Sequence, residues 1–385
     1  MVQASMALTG VGKCCRLLLR QRSKAAFLNV AQPGWIESSE GAKRHLLSED
    51  VIKLQDFQQR KLAVAHLAKG SQGNFVELFN EKLQKKDLML RDELKLLLHL
   101  CQSADDMVVA RDAIYRYHAE NQNVAFGEFR FGPIFVRLCY ELGLEDMAFA
   151  VLTDKQMKGF FNDATSFNIT VDMLFMKGSH ENALEVLRTM RNQNIPFNKE
   201  THILAAGTCY KLNTTESYRI CTSLIEEGQT NGSIPRRAYG FAIALALKQN
   251  DIENAKSLFS QIMSTDNRLF QNLNILTLTM SGAVPDAIYT LTASLLPRSP
   301  AFVKKLEFSQ EVLDLLCLRS EGGPHLMEVK QIVAQLEQAG QVTRQTLDDM
   351  LCHTPSGKRK PAPITEERRF SRRTHRPLHS MLLSE

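Results

Sequence analysis

Residues 165–198, TSFNITVDMLFMKGSHENALEVLRTMRNQNIPFN, decide the fold. In the first half, Phe167, Val171, Leu174 and Phe175 recur at i, i+4, i+7 and i+8, which is one stripe of an α-helix. Lys177-Gly178 interrupts the pattern. Ala183, Leu184, Leu187 and Met190 then line one face of a second helix, and the small alanine lets the two helices approach closely. Neither helix can bury its stripe alone, so such hairpins must stack on neighbours.

Working outward, the same unit recurs. Ala113, Ala148 and Ala183 are spaced by 35 residues, as are Gly143 and Gly178, and Asp163 and Asn198. Residues 138–152 and 174–187 show the pattern of apolar helix, short break and Ala-centred helix most clearly. Residues 245–262 repeat it with Ala255, and 280–291 with Gly282 and Ala287; 98–117 and 201–227 are poorer copies. The expected fold is all-α, an α-solenoid of stacked helical hairpins spanning 95–305 in five or six units. A helical lead-in covers 40–94, with helices expected over 46–68, 74–83 and 87–100. Helices over 312–318, 324–338 and 343–351 form a region, 306–352, expected to cap the solenoid, because terminal repeats need a polar outer face. Pro324 and Gly340 mark the start and stop of the middle one.

Composition agrees with this division. Of 385 residues, 44% are hydrophobic and 23% charged, enough apolar content to bury a core and to exclude disorder throughout. No apolar run approaches the roughly 18 residues that span a bilayer. The net charge of +5 resides at the ends. Residues 1–36 hold Lys13, Arg16, Arg20, Arg22 and Lys24 with no acid, and Leu17, Leu18 and Leu19 sit among them. This is the composition of a mitochondrial presequence; the arginines interrupt any secretory apolar core. Residues 353–385 carry eight basic residues against Glu366, Glu367 and Glu385, with prolines and serines, and read as a disordered basic tail. The middle is net acidic, which does not suit a globally basic nucleic-acid-binding core.

Catalytic and metal chemistry find no pattern. The eight cysteines form no C-x-x-C pair, no histidine stands at zinc-finger spacing, and the cysteines of the folded part sit among apolar residues as buried thiols do. Asp105-Asp106, Glu226-Glu227 and Asp348-Asp349 are adjacent pairs that diverge by about 100° on a helix, as solvated faces or caps rather than convergent metal ligands. Residues 9–13, TGVGK, lack the spacing of a phosphate loop. The expectation is a protein that is not an enzyme and has no cofactor.

Residues 165–198 resemble a complete pentatricopeptide repeat: Phe167-Asn168 stands at its aromatic-Asn start, Lys177-Gly178 at its turn, Ala183-Leu184 in its second-helix core and Met190 at its later anchor. The tetratricopeptide repeat, with a 34-residue period, is the rival pattern. The resemblance implies a mitochondrial matrix protein that binds single-stranded RNA, one base per repeat. It would assist processing, maturation or stability of mitochondrial transcripts, alongside processing nucleases or other RNA-binding proteins. By the same resemblance Asn168 and Asn198 form the base-reading pair of this unit. Pro133 and Asp163 hold those places in the preceding unit, and Ile203 and Gly240 depart from the pattern. Asn272 matches it, while its closing partner falls at Phe302. Arg368, Arg369, Arg372 and Arg373 are candidate phosphate contacts. The plain alternative for Asn168 is an exposed polar residue, capping or solvated. The aromatic run at 126–132 reads as core packing rather than an RNA-stacking strand. Two other functions stay open: a protein–protein scaffold using the concave face, and an RNA endonuclease.

Overall fold

The computed structural model describes residues 45–67, 72–121, 130–230, 234–296 and 305–355. The expected presequence, most of the expected basic tail with Arg368, Arg369, Arg372 and Arg373, and most of the 126–132 run lie outside them. A short helix α1 (Glu49–Ile52) ends at Lys53 in the left-handed conformation and is followed by α2 (Leu54–Leu67) and α3 (Gln72–Lys85). Seven helical pairs come next: α4 (Arg91–Leu100) with α5 (Ala104–Asn121), α6 (Gly132–Leu142) with α7 (Glu145–Thr153), α8 (Ala164–Lys177) with α9 (His180–Asn192), α10 (Lys199–Leu212) with α11 (Thr215–Thr230), α12 (Arg236–Lys248) with α13 (Ile252–Ser260), α14 (Arg268–Met280) with α15 (Val284–Leu295), and α16 (Gln310–Arg319) with α17 (Leu326–Gln338). A five-residue helix, α18 (Leu347–Leu351), follows.

The 35-residue step has a backbone cause. Gly143 and Gly178 end α6 and α8 at φ 67° and 85°, a conformation that glycine adopts without penalty. Asn213 and Asn250 take the same left-handed place after α10 and α12, and Gly282 after α14. Five residues beyond four of these turns lies an alanine, Ala148, Ala183, Ala255 or Ala287, each fully buried at the helix crossing. In α11 the small buried residue is Ser217, one place earlier, and Tyr218 turns aside to donate its hydroxyl to Asp251 Oδ2 at 2.7 Å. That shift explains the poor copy at 201–227.

First helices stack on first helices, α6–α8–α10–α12–α14–α16, while α7 and α15 pack on α9 and α17 of the second-helix row. Three expectations need correction. Helix α4 runs across the boundary set at 94–95 and pairs with α5, so the paired array begins before residue 95. The helix expected over 46–68 breaks at Lys53, whose positive φ of 54° turns the chain. Within 306–352, α16 and α17 continue the two rows, but α18 turns back and packs on α12 and α14. Residues Phe308–Ser309 and Val342–Thr343 (β1 and β2) form a two-residue parallel pair that guides this return.

Helices α8, α10 and α12 are buried nearly all round: residues 166–175, 204–210 and 240–247 run without an exposed position. A helix that lies in a row with one side open keeps a polar stripe; a helix buried on every side has that side covered. The covers are the two ends of the described chain. Helix α1 packs on α8, and Leu46 seats where a Cβ on Gly207 of α10 would stand 2.7 Å from its Cδ1. Leu351 packs beside Gly240 of α12 in ordinary contact, its Cδ2 lying 3.5 Å from where a Cβ would stand, as does Cδ2 of Leu269.

Candidate nucleic-acid interface

Asn168 and Asn198 come together at the start of α10. Asn198 is the N-cap of α10, where its Oδ1 accepts the Thr201 backbone N–H at 2.8 Å, the usual device for an orphan helix donor. Asn168 Nδ2 donates to the same Oδ1 at 3.1 Å. The Thr201 hydroxyl lies 2.8 Å from both side-chain oxygens and donates to one of them at a time. Asn198 is exposed, but Asn168 is only 1% exposed, so it is not the solvated surface residue of the plain alternative. Thr201 completes the cluster; its place three residues after an Asn cap was legible as a capping box.

The other two candidates are engaged elsewhere. Asp163 caps α8, accepting the Ser166 N–H at 2.9 Å and its hydroxyl at 3.0 Å, and is buried. Asn272 is 0% exposed. It donates to the Arg268 and Glu307 carbonyls at 2.8 and 3.0 Å, and accepts the Ser309 N–H at 2.7 Å. With both amide hydrogens and its oxygen taken by backbone groups, Asn272 has nothing to offer a base, which corrects the expectation for it. Its task parallels that of Asn168: each fastens the N-cap of the next first helix, Asn198 or Ser309. At the departing positions, Ile203 is half-buried and Gly240 receives Leu351.

Several cations of the first helices near this site are engaged within the protein. Arg137 Nε donates to the Ile52 carbonyl at 2.6 Å, and Lys211 Nζ lies 2.7 Å from Asp348. Arg237 donates through Nη1 to the Leu46 carbonyl at 2.8 Å, through Nε and Nη2 to that of Leu351 at 3.3 and 3.1 Å, and to the His353 carbonyl. Burial pushes its guanidinium down to about 10. Lys248 sits over the Tyr210 ring at 3.9 Å, and burial lowers its pKa. One turn beyond Asn168, Asp172 is fully buried. Its Oδ1 accepts the Leu46 and Leu47 N–H groups at 2.8 and 3.2 Å, and its Oδ2 lies 2.7 Å from His45 Nδ1.

The chain is similar in sequence to known proteins. A family model described as mitochondrial 28S ribosomal protein S27 matches residues 18–353. Pentatricopeptide repeat-containing protein 2, mitochondrial, of Danio rerio is 49% identical over 383 residues, 99% of this chain and 100% of its own length. The Homo sapiens protein of that name is 46% identical over 347 residues, 90% and 89% of the two lengths. The chain belongs to the mitochondrial 28S ribosomal protein S27 family and is a relative of pentatricopeptide repeat-containing protein 2. Among solved structures, the maize pentatricopeptide repeat protein PPR10 aligns over 79% of this chain and 56% of its own, at 13% identity and a TM-score of 0.32, too loose a likeness to carry an argument.

Cys101, Cys139, Cys209, Cys221 and Cys352 are buried, and burial raises every one of their thiol pKa values, Cys101 and Cys352 to about 12. Such thiols are protonated and unreactive at neutral pH. Of the adjacent carboxylates, Asp106 accepts the Gln102 and Ser103 N–H groups at the start of α5, and Asp349 caps α18 with Thr346. Glu227 pairs with Arg191 at 2.8 Å. Among the described residues no three His, Cys, Asp or Glu gather as a metal site, and no helix is long and apolar enough to cross a membrane.

Proposed function

We propose that this chain binds single-stranded RNA in the mitochondrial matrix and assists the processing, maturation or stability of mitochondrial transcripts. The observation that carries the reading is the meeting of the Asn168 and Asn198 side chains, 3.1 Å apart at the junction of two successive first helices. An amide offers a donor and an acceptor, and a base edge offers the complement, so the side-chain pair at this junction can discriminate between bases. The relatives' names add support: they are pentatricopeptide repeat-containing and mitochondrial, and the family description is that of a mitochondrial ribosomal protein. Phosphate attraction would come from Arg368, Arg369, Arg372 and Arg373 of the basic tail. Sequencing of RNA crosslinked to the protein in intact mitochondria tests this. Sites concentrated on one transcript family support it; a protein that crosslinks no RNA contradicts it.

One observation favours a second reading. The first-helix face is filled by the chain's own ends, and a scaffold working through other surfaces needs no open face there. Under that reading, absent RNA is accompanied by a nuclease-resistant protein complex.

A further inference from the structure

The segments that close the first-helix face are held by a small set of contacts. At the N-terminal end, His45, Leu46 and Leu47 converge on Asp172, Ile52 is bound by Arg137, and Leu46 fills the space at Gly207. At the C-terminal end, Asp348 faces Lys211 and Leu351, fully buried, packs beside Gly240. Arg237 belongs to both sets, since one guanidinium holds the carbonyls of Leu46, Leu351 and His353.

We propose that the two ends form one latch over the first-helix face, buckled by Arg237, and that RNA reaches this face only when the latch opens. The proposal rests on the RNA reading above. Three features distinguish a latch from permanent core. The rows stack helix on helix without the end segments, so their departure removes no contact between repeats. Helices α1 and α18 have four and five residues, too short to persist by themselves once undocked. The groups they occupy are those a nucleic acid would use, because Asp348 sets a carboxylate in front of Lys211, where an incoming polyanion must compete with it. A shared guanidinium couples the ends: loss of one end leaves Arg237 less fixed for the other.

The test uses Leu351→Glu and, independently, Leu46→Glu in the full chain. Each ejects one fully buried leucine from the first-helix face, and each adds a negative charge that by itself disfavours RNA. Three quantities are read: the labelling rate of the Cys352 thiol by peptide mass spectrometry, hydrogen exchange at Leu46 and Leu47, and affinity for an unstructured 20-nucleotide RNA. The latch predicts that either variant speeds labelling and exchange at both ends by tenfold or more. It also predicts tighter RNA binding by a similar factor, despite the added charge. Loosening confined to the mutated end overturns the single latch, and protection unchanged in both variants shows that the ends are permanent core. Equal RNA affinity in wild type and opened variants overturns the gate while the RNA reading stands. No binding by any of them, with Cys352 exposed, overturns the RNA reading and the gate with it.

Discussion

Asp348 and Lys211, 137 residues apart in sequence, meet in a carboxylate–ammonium contact of 2.7 Å with each side chain 28% exposed. This pair brings α18 back against the first-helix row instead of letting it cap the last repeat. Removing Asp348 leaves the half-buried Lys211 ammonium without this partner. Asp348→Ala is expected to cost about 1–2 kcal/mol in urea unfolding, and a double-mutant cycle with Lys211→Met should recover most of that as coupling. Additive effects would show that the pair contributes nothing.

Asn272→Ala is expected to act on stability alone. It strips the Glu307 carbonyl and the Ser309 N–H of a buried partner, for a loss of about 2–3 kcal/mol in chemical denaturation. The base preference of the variant on a panel of short RNAs should match that of wild type. A changed preference with unchanged stability would restore Asn272 as a reading residue.

Ala183 tests the repeat register. It is fully buried where α8 and α9 cross, so Ala183→Phe should overpack the junction by about 1–3 kcal/mol and lower the melting temperature. An unchanged melt would place the helix crossing elsewhere.

The His180 imidazole makes stability depend on pH. Burial holds its pKa at about 4, with Lys211 pushing the same way and Asp348 opposing, and its Nδ1 finds no partner among the described residues. The folded value lies below that of the unfolded chain, about 6.5. The unfolded chain therefore takes the proton first. The stability from a neutral His180 is full above about pH 6.5 and is lost as pH falls toward 4. Burial moves His99 in the same direction. The melting temperature should drop between pH 7 and pH 5, and His180→Leu should flatten part of that slope. A wild-type profile without a slope in this window would contradict the assignment.

Import is the remaining prediction. A reporter carrying residues 1–36 should enter mitochondria, and replacing Arg16, Arg20 and Arg22 by Glu should stop it. A reporter that stays cytosolic with the native segment would remove the localisation from the proposal.

The helical pairs were legible in the sequence because their causes are local. A glycine or asparagine able to adopt positive φ, followed five residues later by a small residue at the crossing, marks Gly143–Ala148, Gly178–Ala183, Asn250–Ala255 and Gly282–Ala287. The 35-residue step marked the caps at Asp163 and Asn198, while the pairing of Asn168 with Asn198 came from the resemblance to a pentatricopeptide repeat and not from the period. The fate of Asn272 was not legible. Its partner lies at Ser309, 37 residues on, because the longer connection after α15 displaces the next cap beyond the expected Phe302. The closed first-helix face was also hidden. The contacts of Leu46 with Gly207, Arg237 with Leu351 and Lys211 with Asp348 join distant segments through single side chains, and no periodicity records them.

The central claim is that RNA is read on the first-helix row, and mapping the peptides that crosslink to RNA in intact mitochondria addresses it directly. The account predicts crosslinked peptides from α8 and α10, around Asn168 and Asn198, with their yield increased by Leu351→Glu. Crosslinks confined to the second-helix row, or none from the repeat array at all, would contradict it.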